Sequence, residues 1–174
     1  MKGERLVLEE HANVVRVVSL AGEVTGRKKL QKIVYIAKKL NYPFHEKYHF
    51  HMYGPYSEEL TMRVEELCTM GFLTERKEDK GSYQQYRYEV TDKGTTFTES
   101  FCKEAGGLPQ IIEELNTQSA RFLELVSSLL YFDELSREQQ IVKVRTVKAK
   151  LNFTDEEFEH AFMFMTKLNQ FKNN

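Results

Sequence analysis

Residues 53–94 constrain this chain more than any other stretch: a YGPYS turn runs into an amphipathic helix, the helix closes on GFL, a polar hairpin follows and the chain leaves through VTDKG. Ser57 stands at an N-cap position, where its hydroxyl can accept from first-turn N–H groups, and Leu60, Val64 and Leu67 recur at helical spacing. Glu58 and Glu59 occupy the first turn, the end of a helix that favours carboxylates. Gly71 supplies a left-handed C-terminal cap. Beyond it, residues 72–76 and 83–91 form two extended runs around a KEDKGS tip, with Tyr86, Tyr88 and Val90 alternating onto one face.

The flanks are mostly helical. Val14, Val15, Val17 and Val18, with Leu8 and Ala12, predict a helix over residues 8–20 that Gly22 ends. Thr25 is placed to cap a second helix carrying Leu30, Ile33, Val34, Ala37 and Leu40, which stops before Asn41 and Pro43. Residues 48–53 (YHFHMY) read as a short strand, and Gly54 and Pro55 then turn the chain. Thr91 or Asp92 opens a helix ending before the Gly106–Gly107 pair, and residues 109–132 read as one helical run of about 36 Å. Ser136 with Gln139, and Thr154 with Glu157, spell two capping boxes. The last helix gathers Phe158, Phe162, Met165 and Leu168 on one side, a face that demands burial.

This order predicts an α+β, mainly helical fold: a winged helix-turn-helix over residues 1–105, and a C-terminal helical extension over residues 106–174 that packs on it or forms a dimer. At 174 residues and 41% hydrophobic the chain can bury a core of ordinary size. A formal charge of −1 excludes adhesion to nucleic acid or anionic lipid by bulk charge alone. Cys68 and Cys102 lie far apart without CxxC spacing, which suits reduced thiols in the cytoplasm. The N-terminus lacks an apolar core, and the longest uncharged run, residues 125–132, is far short of the ~20 residues a bilayer span needs. A soluble cytoplasmic protein is expected.

The second helix holds the densest basic patch, Arg27, Lys28, Lys29, Lys32, Lys38 and Lys39, with no acidic residue between Gly26 and His45. Three cations in its first turn oppose the helix dipole, at about 0.3–1 kcal/mol each, and a bound anion would remove that conflict. A phosphate site and a solvated polar face are the two readings. The third helix sets Glu58, Glu59, Glu65 and Glu66 against the single cation Arg63, which suits a basic protein partner better than a DNA groove. Ser57, Thr61 and Arg63 are its polar outward positions. On the hairpin Arg76, Lys77, Lys80 and Arg87 are cancelled by Glu75, Glu78, Asp79 and Glu89. His45, Glu46, His49 and His51 fit no zinc spacing. With no GxSxG, HExxH, P-loop or GxGxxG, neither catalysis nor a cofactor or metal is expected.

The pairing of KLQKIVY at residues 29–35 with YGPYS at residues 53–57 resembles the YwgA-type family of uncharacterised bacterial proteins over most of the chain. The same elements are similar, more distantly and over the first half, to the Panacea (SocA-like) antitoxin domain. GFLTE, the hairpin and VTDKG resemble the wing region of MarR- and PadR-type regulators. In those regulators the first strand lies between the first two helices, whereas the extended segment expected here falls between the second and third. The regulator resemblance implies a DNA-binding protein of transcription regulation; the basic patch of the second helix then predicts duplex phosphate contacts at Arg27, Lys28, Lys29 and Lys32, with Arg63, Arg76, Lys77 and Arg87 assisting. The antitoxin resemblance implies instead a protein partner met through Glu58, Glu59 and Glu66.

Overall fold

A computed structural model describes residues 1–101 and 103–174, so Cys102 lies outside the described residues. Cys68 is a half-buried free thiol. Helix α1 spans Lys2–Ala21 and begins earlier than the apolar pattern alone indicates. Its valines stay helical despite their β-branching because Val14, Val15, Val17 and Val18 are all fully buried. Gly22, at φ 77°, ends it.

The chain next forms strand β1, Glu23–Thr25, which the sequence reading left out. Thr25 therefore pairs with Arg87 across the sheet and does not cap the next helix; Gly26, at φ 109°, occupies that position without a side-chain cap. Helix α2 follows at Arg27–Lys39. Residues 48–53 do contain a strand, β2 at His49–His51, but it pairs with a second one, β3 at Gly54–Tyr56, so Gly54 and Pro55 are strand residues and Met52 and Tyr53 make the turn.

Helix α3, Glu58–Thr69, starts at Ser57 as expected, with the Ser57 hydroxyl accepting from the Leu60 N–H at 3.1 Å. Strands β4 (Leu73–Asp79) and β5 (Gln84–Val90) form the hairpin, and β1 joins its far side to give the order β1-β5-β4, all antiparallel. A strand thus does lie between the first two helices, in addition to the extended segment expected between the second and third. Of the alternating hairpin residues, Tyr88 is buried while Tyr86 and Val90 pack half-buried against the core.

Helix α4 covers Asp92–Phe101. The single run expected over residues 109–132 is two helices, α5 at Leu108–Thr117 and α6 at Ala120–Tyr131. Gln118 is extended there and the Ser119 hydroxyl caps the new helix by accepting from Phe122 N–H. The bend lets Leu115 and Leu123 on either side of it both face the core. Helices α7 (Arg137–Val147) and α8 (Asp155–Lys172) begin at the two capping boxes, both fully formed, and a 3-10 turn at Ala149–Leu151 lies between them.

The architecture is α+β and mainly helical. One hydrophobic cluster draws Val15, Ile33 and Ile36 from the N-terminal part and Ile111, Leu123, Val126 and Phe158 from the rest, so a continuous core crosses the Gly106–Gly107 position. Helix α2 is its axis, packed by α5 and α6. Residues 31–37 of α2 are consequently all buried, including Gln31 and Lys32. Among the described residues no helix is long and apolar enough to cross a membrane.

Candidate functional site

Because α2 runs through the core, its N-terminal turns are enclosed between the β2–β3 hairpin, α3 and the β4–β5 hairpin. These four walls leave a cavity of about 440 Å³, within the ~300–1,000 Å³ typical of ligand sites. Helix α2 contributes Arg27, Lys28, Leu30, Gln31 and Lys32; the β2–β3 hairpin contributes His51, Met52, Tyr53 and Tyr56. Leu60, Thr61, Val64 and Glu65 come from α3, and Glu75 and Tyr88 from the sheet.

Polar groups in these walls are fixed by one another. Gln31 accepts the Ser57 N–H at 2.9 Å, donates to the Ser57 carbonyl at 2.8 Å, and donates to Thr61 Oγ1 at 3.0 Å. The Tyr56 hydroxyl shares a 2.8 Å hydrogen bond with that same Thr61 oxygen. On the sheet side Arg27 donates to Tyr88 Oη at 3.2 Å and to Glu75 Oε1 at 3.1 Å, while Tyr88 donates to Glu75 Oε2 at 2.6 Å. Burial, reinforced by the bond to Glu75, pushes the Tyr88 phenol well above its ordinary range, so it stays a donor. The Arg27 guanidinium also lies 3.7 Å over the Tyr86 ring.

Lys32 is 3% exposed, with its ammonium donating to the Pro55 carbonyl at 2.8 Å. Burial pulls it down to about 8, with Glu124 pulling the other way. Glu124 of α6 is itself engaged by Lys148, 2.8 Å away and equally buried, which also donates to the His51 and Met52 carbonyls. Two ammoniums and one carboxylate therefore hold the β2–β3 hairpin against α2 and α6.

A Bacillus subtilis (strain 168) protein, named as uncharacterized protein YwgA, is 51% identical to this chain over 164 residues, which span 94% of this chain and 99% of that protein. The chain belongs to the YwgA family. No protein-family model matches it. The stretches that carry the YwgA likeness, KLQK and YGPYS, are the two that face each other across the cavity.

In this YwgA-family fold the expected cations are dispersed. Arg27, Lys28 and Lys32 meet at the cavity, with the Lys28 ammonium 3.0 Å over the Tyr53 ring at its mouth. Lys29 turns the other way, donates to the Asn116 carbonyl and is lowered by burial. Thus only Lys28, of the helix-start lysines, keeps a solvent-facing charge.

The supposed outward positions of α3 point inward. Ser57 is fully buried, Thr61 belongs to the Gln31 network, and Arg63 is enclosed with Glu46 and with Glu10, the latter at 2.8 Å. Arg63 turns in because Glu46 is buried and needs a counter-charge.

On the hairpin Arg76 pairs with Glu89 at 2.9 Å and Arg87 with Glu23 at 3.0 Å, whereas Lys77 is exposed and has no ion pair among the described residues. Glu58 and Glu59 are exposed, Glu59 accepting from the Lys47 N–H at 3.2 Å; Glu66 lies 2.8 Å from His11 Nε2. Among the described residues no group of three or more His, Cys, Asp or Glu side chains forms a metal-holding cluster.

Sequence reasoning missed Gln31, Tyr56 and Tyr88 as site residues, and placed Thr61 on the outward face of its helix. The signal was present for the first two, because Gln31 and Tyr56 lie in the two family motifs. Glu124 and Lys148 carry no local signal at all.

Proposed function

We propose that this protein is a regulatory binding protein on a winged-helix scaffold, and that the cavity between α2, α3 and the two hairpins takes up a small organic ligand. The scaffold reading is supported by the order helix, strand, helix, short hairpin, helix, hairpin, with β1 completing a three-stranded sheet. The ligand reading rests on one observation. Four separate elements enclose about 440 Å³ of mainly apolar and aromatic wall in which Gln31, Tyr56, Thr61, Glu75 and Tyr88 are held by internal hydrogen bonds. An occupant touching α3 and β5 together would bias the position of α3 against the hairpin, which is how a bound molecule could be signalled at the surface. Binding, with no chemical turnover, is the activity these residues serve.

The test is a ligand-observed NMR screen of apolar and aromatic compounds against the full chain and a Val64→Trp variant with its cavity filled. Compounds should bind the parent chain and lose binding in the variant. Equal binding to both proteins would sink the reading.

A second reading, association with double-stranded DNA, is favoured by the solvent-facing ammoniums of Lys28 and Lys77. Arg27 and Arg76 stand in partly exposed ion pairs, worth about 0–1 kcal/mol, that a phosphate could replace. It predicts duplex binding at about 50 mM salt that weakens steeply with salt and is lost in a Lys28→Glu/Lys77→Glu variant. No binding at that salt would remove it.

A further inference from the structure

We propose that the cavity is selective for an amphipathic monocarboxylate, with Lys32 recognising the carboxylate and the tyrosine and leucine walls holding the apolar body. The inference rests on the ligand reading above and specifies its chemistry. Its starting point is a charge imbalance in a dry place. Lys32 and Lys148 are both buried, and the one carboxylate between them, Glu124, makes its 2.8 Å contact with Lys148. Lys32 is left with a neutral carbonyl, that of Pro55, although an ammonium carries three donors. A buried cation without a direct counter-ion is costly, and a ligand that brings the missing charge gains what the folded chain lacks.

The rest of the lining agrees. Arg27, Lys28 and Lys32 face only Glu65 and Glu75, and Glu75 is already bound by Arg27 and Tyr88, so the wall carries one cation in excess. A single excess cation matches a monoanion better than a phosphate dianion. Leu30, Leu60, Val64 and the rings of Tyr53, Tyr56 and Tyr88 supply the contact for an apolar body. Lys28, over the Tyr53 ring at the mouth, adds long-range attraction for an incoming anion.

The lowered titration of Lys32 gives the site a pH signature. The titratable groups around it are Lys28 on its own helix, His51 of β2, Tyr56 of β3, Glu124 of α6 and Lys148 beyond α7. A measuring window of pH 7.5–9.5 brackets the Lys32 ammonium, at about 8, so that its charge changes within it.

The experiment is isothermal titration of the full chain with 2-naphthoate and with its uncharged isostere 2-naphthamide. At pH 7.5 naphthoate should bind about tenfold or more tighter than the amide, the value of one charge-assisted hydrogen bond. That preference should shrink steadily towards pH 9.5. Lys32→Met should abolish the preference between the two probes. Equal binding of both probes would overturn the carboxylate inference and leave the cavity reading standing; binding of neither would remove both. A preference that survives Lys32→Met, or that is flat with pH in the parent chain, would place the anion elsewhere and overturn the proposal. The pH series on the parent chain decides the matter even if the variant does not fold.

Discussion

Gln31 and Ser57 are joined by a pair of hydrogen bonds, one in each direction: the Gln31 side-chain carbonyl accepts the Ser57 N–H at 2.9 Å and its amide donates to the Ser57 carbonyl at 2.8 Å. The side chain thereby mimics a strand neighbour for a residue that sits between β3 and α3. Since the Ser57 hydroxyl simultaneously caps α3, this contact ties the start of α3 to α2 at the cavity wall.

Gln31→Met should test it. Methionine keeps the length of the side chain but leaves the buried N–H of Ser57 without a partner, while the Ser57 carbonyl still accepts from the Thr61 N–H and hydroxyl. One unsatisfied buried group should cost about 1–3 kcal/mol in urea unfolding. A loss below about 1 kcal/mol would mean that water or a shifted backbone replaces Gln31.

The Lys148–Glu124 pair ties the C-terminal helices to the β2–β3 hairpin, with both side chains largely withdrawn from water. Lys148→Met alone strips Glu124 of its 2.8 Å partner and frees the His51 and Met52 carbonyls, so a loss of roughly 3–5 kcal/mol is expected. The double variant Lys148→Met/Glu124→Leu should lose clearly less than the two single losses added. Simple additivity in the cycle would show that the pair is not coupled.

What the sequence disclosed was the local chemistry. Ser57, Ser136 and Thr154 cap helices because a hydroxyl at that position serves the same N–H groups in any fold, and each was legible. Strand β1 was not, because three residues between Gly22 and Gly26 become a strand only when β5 arrives from far along the chain to pair with them. Gly54 and Pro55 carried a turn signal, yet both pair across a hairpin with His51 and Phe50, Gly54 doing so at φ 84°. The lysines misled for a related reason. A lysine in an amphipathic helix reads as its wet face, and only α6, far along the chain, and the β2–β3 hairpin folded back over α2 make Lys32 a buried residue.

Gly94 opens a further comparison. An added Cβ there would overlap the Phe72 carbonyl oxygen and crowd the Val90 side chain, because α4 starts directly against the entry to β4 and the end of β5. Gly94→Ala should cost about 3 kcal/mol, at the upper end of overpacking. Gly106 has open space and no left-handed backbone, so Gly106→Ala should fall within about 0.5 kcal/mol of the parent chain or stabilise it slightly. Similar melting temperatures for the two variants would refute the close packing at Gly94.

Lys32 should make stability rise with pH over a defined interval. In the folded chain burial lowers it to about 8, against 10.5 for an ordinary lysine. Below pH 8 the native ammonium is charged and its desolvation weakens the fold in full. Between about 8 and 10.5 the unfolded chain keeps a proton that the native chain has lost, so stability increases with pH. At 1.36 kcal/mol per unit the whole interval is worth roughly 3 kcal/mol. Lys29 shifts the same way, and the raised phenols of Tyr35 and Tyr48 act in the opposite sense above pH 10, so the quantity to follow is the difference between the parent chain and Lys32→Met. Urea unfolding at pH 7, 8, 9 and 10 should show the variant's relative stability falling steadily from pH 8 upward, as the parent chain sheds its buried charge. A difference independent of pH would mean that Lys32 keeps its proton in the fold, with Glu124 close enough to neutralise it.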